Sequence, residues 1–379
     1  MKDVINNLDE EGFSLLHWNA REGNAETVQK LIDIGADIEI KDRENGSTPL
    51  LFACQNGHTN VVKILLQNRA NLFAFSKSGN TGLHFAVESG NIELVEMLVK
   101  KGLDIDAKDE YGFTPLLFAC QNGHTNVVKI LLQNGANIKA THINGSTALH
   151  FASQSGNIDL VEMVLKEGLN VNATNNQGMT SLHKAVKKRH IDIVKLLIEN
   201  GANIFAKTKA KNSNCLLLAS QKGHVEMMKL LIEKGLDINS KDIDGSTPFL
   251  ITCLYGQAKA AQFLLRNGAN IEDVNKHSYN GLNTTAFLDG KYANLREITK
   301  LLLTNGADVT VKKKEMSAFH LALKRRNFHF IKALFDHRPT FDIKDSRNEN
   351  VIEHVLRRNE QNIMRIIAFH FHSCDQHLA

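Results

Sequence analysis

Residues 48–68 and 114–134 are the same 21 letters, from Thr-Pro-Leu-Leu-Phe-Ala-Cys through Lys-Ile-Leu-Leu-Gln-Asn, set 66 positions apart. Looser copies return about every 33 residues along nearly the whole chain. A fixed period of this size decides the fold before any other reading. Each copy is one supersecondary unit, and a row of them grows by stacking rather than by enlarging one core. The 379 residues therefore do not imply two or three globular domains.

Residues 109–141 serve as the reference unit, numbered 1 to 33 from the tip of its turn. Gly112 ends the tip, and Thr114-Pro115 opens a helix with Thr as N-cap and Pro at the first helical position. That helix runs through Leu116, Leu117, Phe118, Ala119 and Cys120 and stops near Gly123. A second helix carries Val127, Val128, Ile130, Leu131 and Leu132 at helical spacing, and Gly135 closes it. Neither short helix buries its apolar face alone, so neighbouring units must stack.

With Thr81-Gly82-Leu83-His84, Thr147-Ala148-Leu149-His150, Thr180-Ser181-Leu182-His183 and Ser317-Ala318-Phe319-His320 opening further units, and Gly35-Ala36-Asp37 or Gly201-Ala202-Asn203 closing others, the pattern resembles the ankyrin repeat. The resemblance implies an all-α solenoid of about ten helix-turn-helix units with hairpin-like tips. The expected organisation is a capping repeat over 1–41, central repeats over 42–274, degenerate repeats over 275–344, and a C-terminal cap and tail over 345–379. In the ninth unit Thr285-Ala286-Phe287-Leu288 is taken as the helix opening, which leaves 275–284 as a lengthened tip loop. Two glycine places are filled by other residues, Arg69 at a unit end and Asn212 at a tip.

Composition limits the function classes. Hydrophobic residues make up 42% and charged residues 23%, so disorder is not expected. Residues 1–7 lack an apolar signal-peptide core, and no long uncharged apolar run suggests a membrane span. Five cysteines in a chain this long form no disulfide framework, which points to a reducing compartment, cytoplasmic or nuclear. The net charge of +4 is uneven: residues 312–379 hold 13 Lys/Arg against 8 Asp/Glu, and the remainder 32 against 33. The positive surplus sits in the last fifth of the chain.

Little in the sequence carries catalysis. His17, His84, His150, His183 and His320 share one unit position, and His58, His124, His190 and His224 another. Equivalent histidines one unit apart stand roughly 10 Å from each other, the thickness of a packed helical layer. They cannot share an ion whose ligand bonds are about 2 Å. The resemblance implies instead that they hydrogen-bond backbone between turn and helix. Cys54, Cys120 and Cys253 sit at an apolar place that raises a thiol pKa rather than lowering it. The tail from His370 through Cys374 to His377 has metal-ligand residue types without a zinc spacing. No phosphate loop, GxSxG elbow, HExxH or kinase set occurs. No enzyme, metal or cofactor is expected. The aromatic series Trp18, Phe52, Phe85, Phe118 and Phe151 at position 10 reads as core between adjacent first helices.

The resemblance implies that partners are held by the tips and the solvent side of the first helices, at positions 2, 3, 5, 13, 14 and 33. Units two to five present Gln55-Asn56, Glu88-Ser89, Gln121-Asn122 and Gln154-Ser155, a polar and nearly neutral floor. Later units present Lys187-Lys188 with Lys207, then Lys222 and Lys241, then Leu254-Tyr255 and Tyr292. The last units return to Lys312, Lys313 and Lys314, Lys324-Arg325, Lys344 and Arg357-Arg358. Basic residues at equivalent groove places around an aromatic centre suit an acidic peptide or protein surface.

The sequence thus reads as a monomeric, non-enzymatic adaptor, scaffold or competitor binding a protein in its groove. Three other readings stand beside it. One is a ubiquitin-ligase substrate adaptor, although no recruiting box is recognisable in 338–379. Another is a nucleic-acid or anionic-lipid binder acting through the basic end, and the third is an enzyme using the tail cluster. The many Asn, Lys and Ile residues and the internal duplication look like repeat proteins of AT-rich genomes, including host-directed effectors of intracellular bacteria.

Overall fold

The computed structural model describes residues 5–288, 294–313, 316–337, 344, 348–358, 361, 363–365 and 368. Ten helix pairs stand among them, from Leu15–Glu22 with Ala25–Asp33 to Ala318–Arg325 with Phe328–Asp336, followed by a last helix, Val351–Arg358. The chain divides into two compact units, residues 1–203 and 204–379, and the division falls inside the expected central block.

The helix starts follow from their caps. Thr114 is extended (φ −99°), its hydroxyl accepts from the Leu117 amide, and Pro115 supplies the first helical φ. In the repeats opening at Ser14, Thr81, Thr147 and Thr180 the histidine three residues on completes a reciprocal capping box. Gly123 ends the helix in the left-handed region (φ 75°). Where glycine is missing the turn keeps its shape: Arg69 has φ 67° and Asn212 φ 54°.

The tips are held by the side chain at position 1. Asp109 Oδ1 accepts from the amides of Tyr111 (3.0 Å) and Phe113 (2.7 Å), and Asp242 Oδ1 from those of Asp244 (2.9 Å) and Ser246 (2.7 Å). Hairpin character survives as single bridges, Phe75 with Thr81 and Thr141 with Thr147, and as the short antiparallel pair Lys312–Lys313 with Met316–Ser317. The core of each unit is the stacked inner faces: Leu116, Ala119, Val128 and Leu131 in the first, Leu216, Ala219, Phe249 and Leu264 in the second, all fully buried.

The ninth repeat departs from expectation. No lengthened tip spans 275–284. Asn275 closes an ordinary tip by accepting from the His277 and Tyr279 amides, and the helix opens at Gly281 with Asn280 as N-cap. Thr285-Ala286-Phe287-Leu288 is therefore helix end, not helix start. The cause is packing. A Cβ at position 281 would stand 3.0 Å from Leu302 Cδ2 and 3.1 Å from Phe249 Cε1, so glycine occupies the place that Pro115 holds in the reference unit. The extra residues fall after this first helix, before the second begins at Leu295.

Candidate functional site

The histidines are structural links. His17 Nδ1 accepts the Ser14 backbone N–H (3.0 Å), so that nitrogen carries no proton, and Nε2–H donates to the Ser47 carbonyl of the next tip (3.0 Å). His84 joins Thr81 to Phe113, and His150 joins Thr147 to Met179, in the same way. Burial lowers all three imidazole pKa values, while the tip carbonyl bond opposes it. His58, His124 and His190 donate instead to the carbonyls of Arg21, Glu88 and Gln154 in the preceding repeat. The thiols are equally inward. Cys54, Cys120, Cys215 and Cys253 are buried, and burial pushes the first three up to about 12 and Cys253 higher still. The His/Cys tail from His370 to His377 lies outside the described residues.

In the first unit the position-10 rings form the groove floor. Phe118 stacks on Phe113 at 4.5 Å, and Phe113 meets His142 (4.5 Å) and Phe151 (5.1 Å). Phe13 similarly meets Trp18 (5.2 Å) and Phe52 (5.3 Å). Phe52 and Phe151 are buried; Trp18, Phe85 and Phe118 are half-buried and tile the surface. The series ends in the sixth repeat, where Lys184 takes the place. Its ammonium is half-buried beside Lys187 and Lys188. Desolvation first, and repulsion by those two lysines second, lower its pKa.

The second unit holds a cleft of about 460 Å³. Its floor is Leu217, Leu218, Leu250 and Ile251, and its walls are Leu254, Tyr255, Tyr279 and Phe287, with Thr208, Lys211, Asp244 and His277 at the tips. It exists because position 10 changes. Leu218, Ile251 and Thr284 stand where the first unit has phenylalanine, and the missing rings leave the space. Tyr279 and Phe287 meet edge to face at 5.6 Å, and the Arg325 guanidinium lies over the Phe287 ring, 4.0 Å from its centroid. Both acidic residues among the described lining are engaged: Asp242 caps its own tip, and Asp244 pairs with Lys211 at 3.5 Å.

The groove residues expected from sequence distribute as follows. Lys187 and Lys188 are exposed in the last turn of Ser181–Lys188, in the first unit. Lys222 is exposed in the last turn of Cys215–Lys222. Leu254 (40% exposed) and Tyr255 form one wall of the cleft. Lys324 and Arg325 are exposed, and Arg325 joins the cleft through Phe287. Arg357 is held by Glu349, Nε to Oε1 at 2.9 Å, which neutralises it as a groove cation. Lys241 is paired with Asp273 (3.4 Å). Tyr292, Lys314, and the side chains of Lys312, Lys313 and Arg358 lie outside the described residues. Sequence reading missed Phe287, because the misplaced ninth helix assigned that repeat's groove position to Tyr292. Asn280-Gly281-Leu282-Asn283, set against Thr81-Gly82-Leu83-His84, was the available signal.

A family profile described as "Ankyrin repeats (3 copies)" matches residues 16–109, 74–142, 116–208 and 205–275. Among curated proteins, the mouse B-cell lymphoma 3 protein homolog is 39% identical over 64 residues, 17% of this chain and 14% of that protein. The Saccharomyces cerevisiae palmitoyltransferase AKR1 is 40% identical over 65 residues, 17% of this chain and 8% of the enzyme. Mouse protein phosphatase 1 regulatory subunit 27 is 39% identical over 65 residues, 17% of this chain and 42% of that protein. The chain thus spans less than half of each of these relatives, and the likeness is one of repeats. No helix among the described residues is long and apolar enough to cross a membrane. With helix pairs, caps and tips repeating as described, and profile matches running from residue 16 to 275, the chain belongs to the ankyrin-repeat family.

Proposed function

We propose that this chain is a non-enzymatic protein-binding module whose second unit holds an acidic segment of its partner against the groove. One observation carries the reading. The carboxylates lining the cleft are engaged within the protein, whereas among the described residues Lys222, Lys324 and Arg325 form no ion pair. The face therefore offers unmatched positive charge around an apolar hollow, which favours an anionic partner in orientation and association rate. Lys187 and Lys188 give the first unit a like patch on its own groove face. The buried thiols and doubly bonded histidines offer no activated nucleophile or free base, in keeping with an adaptor, scaffold or competitor.

The test is proximity labelling in cells, comparing wild type with a variant carrying Lys187→Glu, Lys188→Glu, Lys324→Glu and Arg325→Glu. The reversal should empty the labelled set of its acidic partners while the melting temperature holds. An unchanged set would sink the reading. Binding of nucleic acid or anionic lipid by the C-terminal repeats is disfavoured by Arg357, which Glu349 neutralises; a steep loss of affinity with salt would favour it.

A further inference from the structure

We infer that the cleft of the second unit is a socket for one aromatic side chain of the partner, with Arg325 gripping a carboxylate beside that ring. This rests on the reading of the groove as the binding face and names what it selects. The floor of Leu218 and Ile251 is aliphatic and flat, because no position-10 ring rises from it. The walls of Tyr279 and Phe287 are aromatic, already edge to face at 5.6 Å, and a third ring extends that arrangement. A volume of about 460 Å³ lies within the range of about 300–1,000 Å³ typical of ligand pockets, enough for one ring with its flanking backbone.

Arg325 supplies the polar half of the recognition. Its guanidinium carbon lies 4.0 Å from the Phe287 ring centroid, so its position is set by a cleft wall. A cation held by a ring in this way spends none of its N–H groups on the contact, and those form the fork that a carboxylate accepts in bidentate fashion. Among the described residues of the lining neither carboxylate competes, since Asp242 is held by the Asp244 and Ser246 amides and Asp244 by Lys211. An aromatic residue next to Asp or Glu supplies this pair of groups, and so does an aromatic residue at a free C-terminus.

Selection of random peptides on the full chain tests the inference and separates the two sources. One phage library displays internal peptides and the other displays free C-termini. Enriched peptides should carry a ring adjacent to Asp or Glu in the first library, or a C-terminal ring in the second. Fluorescein-labelled synthetic copies, read by anisotropy, should lose about tenfold to hundredfold in affinity on Arg325→Gln, the worth of a charged hydrogen bond. They should lose as much when their own ring becomes Ala. Ile251→Phe, which rebuilds the missing ring, should block the same peptides, with melting curves confirming that each variant is folded. Peptides that are acidic but ringless, or indifferent to Ile251→Phe, overturn the socket and leave the acidic-groove reading standing. Internal peptides without acidic residues together with free-C-terminus peptides lacking a terminal ring, or no enrichment in either library, overturn both.

Discussion

The groove faces of the two units are built from the same parts, tips above and first helices below, yet one is tiled and the other hollow. In the first unit Phe113, Phe118 and Phe151 lean on one another and on His142. In the second, Leu218, Ile251 and Thr284 stand at the equivalent places and a cleft opens. The backbone at these places does not cause this, since tips and N-caps agree and the one departure, extended Leu288 after Phe287, comes later in the chain. Three side chains do. A repeat array keeps its scaffold in positions buried between neighbours, and positions on the groove face are free to change without cost to the stack.

The contrast requires that the cleft be a surface gap over a packed core, and the largest expected effect checks that. Phe249 is fully buried directly beside the cleft floor. Phe249→Ala should cost about 3–5 kcal/mol in chemical denaturation, the range for a buried phenylalanine. A cost below 1 kcal/mol would mean that the second unit is loosely packed throughout and that the cleft is a symptom of it.

Next comes acid. His17, His84 and His150 are buried in the first unit with imidazole pKa values below the ordinary 6.5. Between those lowered values and 6.5 the unfolded chain binds more protons than the folded one, so stability rises with pH in that window and is fully present above it. The melting temperature should hold from pH 8 to 7 and fall as pH drops from 6.5 toward 5. Replacing the three histidines with Asn, the residue the chain itself uses at Asn283 in the ninth repeat, should flatten that slope. An equally steep slope in the triple variant would place the acid sensitivity elsewhere.

Filling the cleft is a smaller change. Leu218→Phe with Ile251→Phe should copy the tiled floor of the first unit into the second. Stability should stay level or rise by about 0.5–1.5 kcal/mol, the worth of an added ring pair. A fluorescent apolar dye that binds the wild-type cleft should no longer do so. A fall of several kcal/mol would show that the hollow is required by the fold.

The scaffold was legible because its letters carry backbone physics: Thr114 and Pro115 for a helix start, Gly123 for a left-handed stop, Leu116 and Val128 for the stacked face. Legibility failed where chemistry was kept but letters changed. Asn280 caps as Thr does, Gly281 fits a space that larger residues cannot, and Asn283 replaces histidine, so the ninth helix went unseen and Phe287 with it. Arg69 shows the reverse. The letter departs from glycine while the conformation, φ 67°, stays. The cleft lay further from view, because it is an absence: nothing in Leu218 or Ile251 alone marks a hollow until the rings of the other repeats supply the reference. Arg357 read as a groove cation because Glu349, eight positions away, looked like ordinary surface charge.

Lys184 marks the boundary of the tiled pattern, and its replacement is the smallest and sharpest test. It occupies the ring position of the sixth repeat, half-buried, with Lys187 and Lys188 repelling it. Lys184→Phe should extend the row from Phe151 and remove that repulsion, raising stability by roughly 0.5–1 kcal/mol. The gain should depend on pH in a definite direction. Because the folded-state pKa of Lys184 is lowered, the unfolded chain holds the extra proton between that value and the ordinary 10.5, and wild-type stability recovers as pH rises through the window. The advantage of the phenylalanine variant should therefore be full at pH 7 and narrow toward pH 10. Salt should narrow it too, by screening the lysines. A gain insensitive to both would assign the effect to ring packing alone, and the sixth repeat would then belong to the tiled face in everything but its letter.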